Sequence, residues 1–177
     1  QPLMNDGTAY YQLQEELRSA FECTVVDLPR NVLIQYPMLF NDVQATVVVA
    51  ELTLASARDV IRILSWLKSN APQSAVLVAL NRVPAGANGE ITRKDFEASI
   101  ERKVDFLLPY DAKIVTQAAK LGKTVADVGK GTKLGQGMQE MGNALLATIE
   151  GVDASGGKVA AKSGSLMGKL GNLKSML

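Results

Sequence analysis

Short apolar runs alternate along this chain with longer stretches of helical spacing. The run at 75–80, AVLVAL, is too short for a helix and follows Pro72 closely. That pattern predicts a strand buried on both faces. Asn81 and Arg82 stand directly at its carboxyl end, followed by a glycine-containing turn at 84–89. The capping box Thr92-x-x-Asp95 then opens a helix that places Phe96 and Ile100 on one face. A second apolar run, 104–108, ends in Pro109-Tyr110-Asp111, where Asp111 is placed to cap the next helix and Gly122 to close it.

The same alternation holds on either side. Residues 9–21 predict a helix with Thr8 as N-cap and an apolar stripe of Leu13, Leu17 and Phe21. Residues 23–30, CTVVDLPR, read as a short buried strand ending in Asp27 and stopped by Pro29. Residues 31–43 are helix-like but interrupted by Pro37, which predicts a bent or broken helix. A β-branched run at 46–50 leads to the capping box Ser56-x-x-Asp59. The helix after it turns Val60, Ile61, Leu64 and Leu67 inward and Arg58, Arg62 and Lys68 outward, and residues 70–72 end it. A loop at 129–132 precedes a last helix at 134–149, with Leu134, Met138, Met141, Leu145 and Ile149 on one face.

Strands alternating with helices imply an α/β fold, a mostly parallel twisted sheet with helices on both faces. In such sheets ligands bind in the crevice at the carboxyl ends of the strands. Two of the predicted strands end there in polar residues, which makes Asn81, Arg82, Pro109, Tyr110 and Asp111 candidates.

Composition narrows the chemistry. The sequence has 177 residues, a formal net charge of +1 and no histidine. Without histidine the chain holds no Ser-His-Asp triad, no Cys-His pair and few zinc sites. The near-neutral charge gives no support for nucleic acid as a partner. Cys23, the single cysteine, forms no internal disulfide and precedes an apolar run, so it reads as a buried thiol in a reducing, cytoplasmic setting. The first residue is Gln, which suggests a piece of a longer protein.

The carboxyl-terminal segment differs in kind. Residues 151–165 read as a flexible linker by composition, after a domain at 1–150. Residues 166–177 place Leu166, Leu170, Leu173 and Leu177 at helical spacing, flanked by lysines. That is a short amphipathic tail suited to a membrane surface or a partner groove. A last helix docked on its own domain fits the same spacing.

Taken together, TVVDLPR, VVVAELTLASARDVIRIL, VALNRV, GEITRKDFEASI and PYDAKIVTQAAKLGKTV resemble the carboxyl-terminal portion of the MinD/ParA family of P-loop ATPases. More narrowly they resemble its pilus-assembly branch, CpaE/TadZ of the Tad (Flp) pilus system. The resemblance covers roughly residues 21–149 and rests most on LNR followed some thirty residues later by PYD. It implies a P-loop NTPase-like fold that uses ATP and Mg²⁺, with Asp27 acting on the Mg²⁺ shell through water or within a nucleotide-responsive switch. It implies that Asn81 hydrogen-bonds adenine, that Arg82 flanks the base, and that Pro109, Tyr110 and Asp111 present backbone groups to its other edge. By their residue types alone, Asp27 and Asp111 also fit turn or N-cap roles, and Asn81 a satisfied strand-end amide.

Two departures from the family matter. No Gly-rich phosphate loop occurs in the sequence; Gly122-Lys123-Thr124 follows an amphipathic helix and reads as a helix stop. Arg30 and Asn31 stand where the family often has glycine soon after its DxP motif. The expectation is a pilus-assembly or positioning scaffold that is nucleotide-responsive or degenerate. It would work with the Tad machinery, self-associate and reach a membrane surface or cell pole through its tail. The alternative is an active MinD/ParA-type ATPase whose P-loop lies upstream of residue 1, with a nucleotide-switched dimer. An electron carrier with an iron–sulfur cluster is set aside, since one cysteine cannot ligate a cluster.

Overall fold

The computed structural model describes residues 7–86 and 89–155. Its elements in chain order are α1 (Gly7–Ala20), α2 (Arg30–Gln35), a 3₁₀ turn (Pro37–Phe40), β1 (Ala45–Ala50), α3 (Leu54–Asn70) and β2 (Ala75–Val83). Then follow α4 (Arg93–Ser99), β3 (Phe106–Pro109), α5 (Ala112–Leu121), α6 (Val125–Val128) and α7 (Lys133–Ser155).

β2 lies at the centre of a parallel sheet of order β1-β2-β3. One face of it, Val48, Ala50, Val78 and Leu80, packs against α3, α4 and the α2–3₁₀ segment. Leu67 of α3 and Phe96 of α4 are almost or wholly without exposure there. Across the other face runs α7, in contact with β3 and β1. Gly137 permits its approach, because a Cβ at that position would stand 3.1 Å from both the Leu107 carbonyl and the Leu108 side chain. Both faces of the sheet are therefore covered, as the alternation predicts.

Local signals fix most element ends. Thr92 accepts from the Asp95 amide, Asp111 from Ile114, and Thr124 from Asp127, each a side-chain N-cap. Gly122 ends α5 in the left-handed region, φ 59°. A helix break at Tyr36 separates α2 from the turn begun by Pro37, as that proline requires. α3, however, is capped by Thr53, whose side chain accepts from the Ser56 amide, not by Ser56. The Ser56 hydroxyl instead accepts from the Glu51 amide and ties the end of β1 to the helix. Ile61 is more exposed than the stripe predicts, while Ile63 takes its place against the core. α7 runs through Ser155, five residues into the stretch whose composition suggests a linker.

The largest correction concerns residues 23–30. They form no strand, Cys23 is exposed instead of buried, and Val25 is 90% exposed. β-branched residues favour a pleated, half-buried surface, but a strand forms only where a neighbour takes its backbone groups. Among the described residues β1 pairs with β2 alone, and residues 23–30 pair with no strand. What anchors the segment is Leu28, packed on the core, and an ion pair from Arg30 to Asp59 of α3.

A second anchor lies at the amino end of β3. Asp105 accepts from the Val78 amide at 2.7 Å, and Arg102 donates to the Val76 carbonyl, so side chains extend the ladder ahead of Phe106. Nearby, the nearly buried Glu97 accepts from Lys103 (2.8 Å), the Val104 amide (3.1 Å) and Arg93 (2.8 Å). These contacts, the Lys103 ammonium first, lower its pKa from 4.5 to about 2. A carboxyl depressed in the folded state adds stability that is complete above its unfolded pKa and lost as pH falls through the folded value. Stability should therefore fall between about pH 4.5 and 2, and Glu97→Gln should flatten that part of the profile. Urea midpoints measured across that range check it; an unchanged profile in the variant would remove Glu97 from the account.

Candidate functional site

The site begins with an irregularity in the sheet. Leu80 pairs with Leu107 and Val83 with Pro109, so Asn81 and Arg82 of β2 stand opposite the single residue Leu108 of β3. This is a β-bulge, a device that re-aims side chains at a sheet rim. Arg82 takes the left-handed conformation, φ 52°, at a cost of about 1 kcal/mol for a residue with a Cβ. Its amide, turned out of the ladder, donates to the Asn81 side-chain carbonyl at 2.9 Å. One lone pair of that carbonyl and both amide hydrogens of Asn81 remain, a donor beside an acceptor on one planar group.

Around the bulge the other candidates gather. The Tyr110 amide donates to the Val83 carbonyl at 2.9 Å, which pins the start of the β3–α5 turn beside it. Tyr110 itself is 65% exposed, and Asp111 spends one carboxylate oxygen capping α5. Thus Asn81, Arg82, Pro109, Tyr110 and Asp111 meet at the carboxyl ends of two adjacent strands. Two acidic residues that the sequence did not single out stand at the end of β1 and over the start of α3. The Glu51 carboxylate lies 3.5 Å from the Arg82 guanidinium, and Glu90 accepts from the Leu54 amide at 3.4 Å. Glu51 was visible as a charge ending a β-branched run, at the same strand end as Asn81. Glu90 had no comparable signal, because only the fold folds its loop back over β1–α3.

Asp27 does not stand at a strand end. It is exposed on the irregular segment ahead of α2, three residues before the Arg30 that pairs with Asp59. Leu166, Leu170, Leu173 and Leu177 lie outside the described residues. At the opposite end of the sheet a cavity of about 660 Å³ is lined by Leu64, Lys68, Ser74, Ile100 and Arg102. Its Arg102 is already bound to the Val76 carbonyl and Asp105, so the carboxyl end offers the freer hydrogen-bonding groups.

Solved structures share this fold. The chain superposes on the MinD cell division protein of Aquifex aeolicus with TM-score 0.64 at 16% identity, covering 80% of this chain and 61% of that one. The fold is MinD-like. A chain of the MinC:MinD complex of the same organism matches with TM-score 0.60 at 14% identity, covering 89% of this chain and 62% of that one. The septum site-determining protein MinD of Pyrococcus horikoshii, complexed with Mg-ADP, matches with TM-score 0.50 at 16% identity, over 66% of this chain and 45% of that one. The chain thus spans less than two thirds of the length of each MinD-type structure. No family model matches the sequence, and no curated protein matches it.

For a nucleotide the residues present fit at one end only. The Asn81 amide can meet a base edge, with the exposed Tyr110 beside it. For phosphates the sequence holds no loop of the G-x-x-x-x-G-K-[ST] pattern, and among the described residues no three His, Cys, Asp or Glu side chains stand together to hold a metal ion. Among those residues, too, no helix is long and apolar enough to cross a membrane.

Proposed function

We propose that this chain is the adenine-holding half of a MinD/ParA-like positioning protein of the pilus-assembly branch, working as a nucleotide-responsive scaffold for the Tad machinery. The observation that carries the reading is the bulge at Asn81-Arg82 beside the Pro109–Asp111 turn, on a MinD-like fold. The strings DLPR and LTLASARD support the pilus branch. Asn81 matches adenine as donor and acceptor, Arg82 lies along the base with Glu51 holding its guanidinium, and Tyr110 and Asp111 close the far edge. Phosphate and Mg²⁺ chemistry is not carried by the groups at 81–82 and 109–111, and Asp27 contributes to it through water. The chain self-associates, and its tail at 166–177 meets a membrane surface or partner.

The alternative, an active ATPase with its P-loop upstream of residue 1, draws on the same adenine end. The test is titration of a fluorescent adenine nucleotide into the 177-residue chain, followed by a phosphate-release assay. The expected outcome is weak, Mg²⁺-insensitive binding without hydrolysis, reduced about tenfold in Asn81→Ala, which removes one paired hydrogen-bonding group. Binding indifferent to Asn81 would refute the site, and turnover by this chain would refute the scaffold reading.

A further inference from the structure

The exposed surface carries two patches of opposite charge, each with apolar residues beside it. On α1 and the segment after it, Glu16, Glu22 and Asp27 are exposed and form no ion pair among the described residues. Phe21 (60% exposed) and Val25 (90%) lie between them in the chain. On α5, the turn before α6 and the first residue of α7, Lys113, Lys120, Lys123 and Lys133 are exposed and likewise without ion pairs among the described residues. Val115 and Leu121 of the same helix are 47% and 55% exposed.

Their places in the fold keep the patches apart. Arg18 of α1 pairs with Asp42 just ahead of β1, at 3.2 Å, so the acidic patch is tied to the β1 side. The basic patch follows β3, the strand at the other edge of the sheet. One molecule does not bring the two together, whereas two molecules can. Like patches facing each other across a two-fold would set carboxylates against carboxylates, or ammonium groups against ammonium groups. Because the two patches lie toward opposite edges of the sheet, a contact that sets one against the other joins the basic edge of one copy to the acidic edge of the next and is heterologous.

We propose that this chain binds a second copy head to tail, the α5–α6 lysines of one against Glu16, Glu22 and Asp27 of the next. The proposal rests on the self-association in the reading above and names the surfaces that perform it. Such a contact leaves one patch free at each end, so further copies add unless the ring closes. It needs no nucleotide.

Sedimentation velocity over a concentration series of the 177-residue chain, at low and high salt, tests it. The expected result is a sedimentation coefficient that rises with concentration at low salt and falls back when salt screens the charges. The triple variants Lys113→Glu/Lys120→Glu/Lys123→Glu and Glu16→Lys/Glu22→Lys/Asp27→Lys should each weaken association by about tenfold or more. All six side chains are exposed, so both variants should keep the far-ultraviolet circular dichroism of the parent. Mixing the two variants should restore association, because the reversed patches again complement each other. If each variant abolishes association and the mixture fails to restore it, the pairing is wrong. Association unchanged by either reversal leaves self-association standing and removes these surfaces. A monomer throughout the series overturns both. Lysine-dependent binding of that monomer to phosphatidylglycerol vesicles would assign the basic patch to lipid instead.

Discussion

Replacing Phe96 with alanine should lower stability by about 3–5 kcal/mol, the range for deleting a fully buried aromatic ring. Phe96 has no exposed surface and sits on α4, a helix of seven residues. So short a helix has little stability of its own, and its place depends on the ring it inserts beneath the sheet. Ile100 just after α4, Val104 in the connection to β3 and Leu67 of α3 share its buried cluster, come from different parts of the chain and cannot all collapse into the space. For a domain of this size the loss corresponds to a fall of roughly 10 °C in Tm. Thermal unfolding followed by circular dichroism measures it; a loss below about 1 kcal/mol would mean that α4 is not docked as described. The effect should reach the candidate site, because the loop ahead of α4 carries Glu90, which holds the Leu54 amide. Nucleotide binding should weaken in Phe96→Ala even though Phe96 makes no contact at Asn81.

Gly135→Ala should cost roughly 1–3 kcal/mol, the usual penalty of overpacking. A Cβ at Gly135 would stand 2.1 Å from the Gly129 carbonyl oxygen, and backbone there cannot swing aside as a side chain could. Gly129 ends α6, and its carbonyl also accepts from Thr132, which in turn accepts from the Gly135 amide and so caps α7. Relieving the overlap therefore shifts the whole entry to α7, the helix that covers the second face of the sheet. Gly142→Ala is the matched control, in the same helix with nothing within 4 Å of the added methyl. It should raise stability by about 0.5–1 kcal/mol, because alanine restricts the unfolded chain and favours helix. Urea unfolding of the two variants should move in opposite directions. Parallel shifts would show that the approach of Gly135 to Gly129 does not constrain the fold.

Much of the architecture is legible before folding because its signals are local. AVLVAL announces β2, Thr92-x-x-Asp95 and Asp111 announce their helices, and Pro37 announces a break, each through the geometry of a few consecutive residues. At the site the residue types Asn81, Arg82 and Tyr110 could be named from their places at strand ends. Their arrangement could not, since the bulge exists only as a mismatch of register between β2 and β3. Thr53 shows the same limit on a smaller scale. The sequence points to Ser56 as the cap, but the extended backbone at Thr53, φ −134°, places the cap three residues earlier.

What the sequence by itself determined, then, is the alternation of strands and helices, most helix ends and the polar character of two strand ends. All follow from side-chain period, capping groups and proline or glycine geometry within a turn or two. Only the tertiary structure decided that residues 23–30 are not a strand, that Cys23 and Asp27 face outward, and that Glu51 meets Arg82 and Glu90 the start of α3. A strand, a buried side chain or a shared rim depends on what stands alongside, and neighbours distant in the chain are supplied only by the packed sheet.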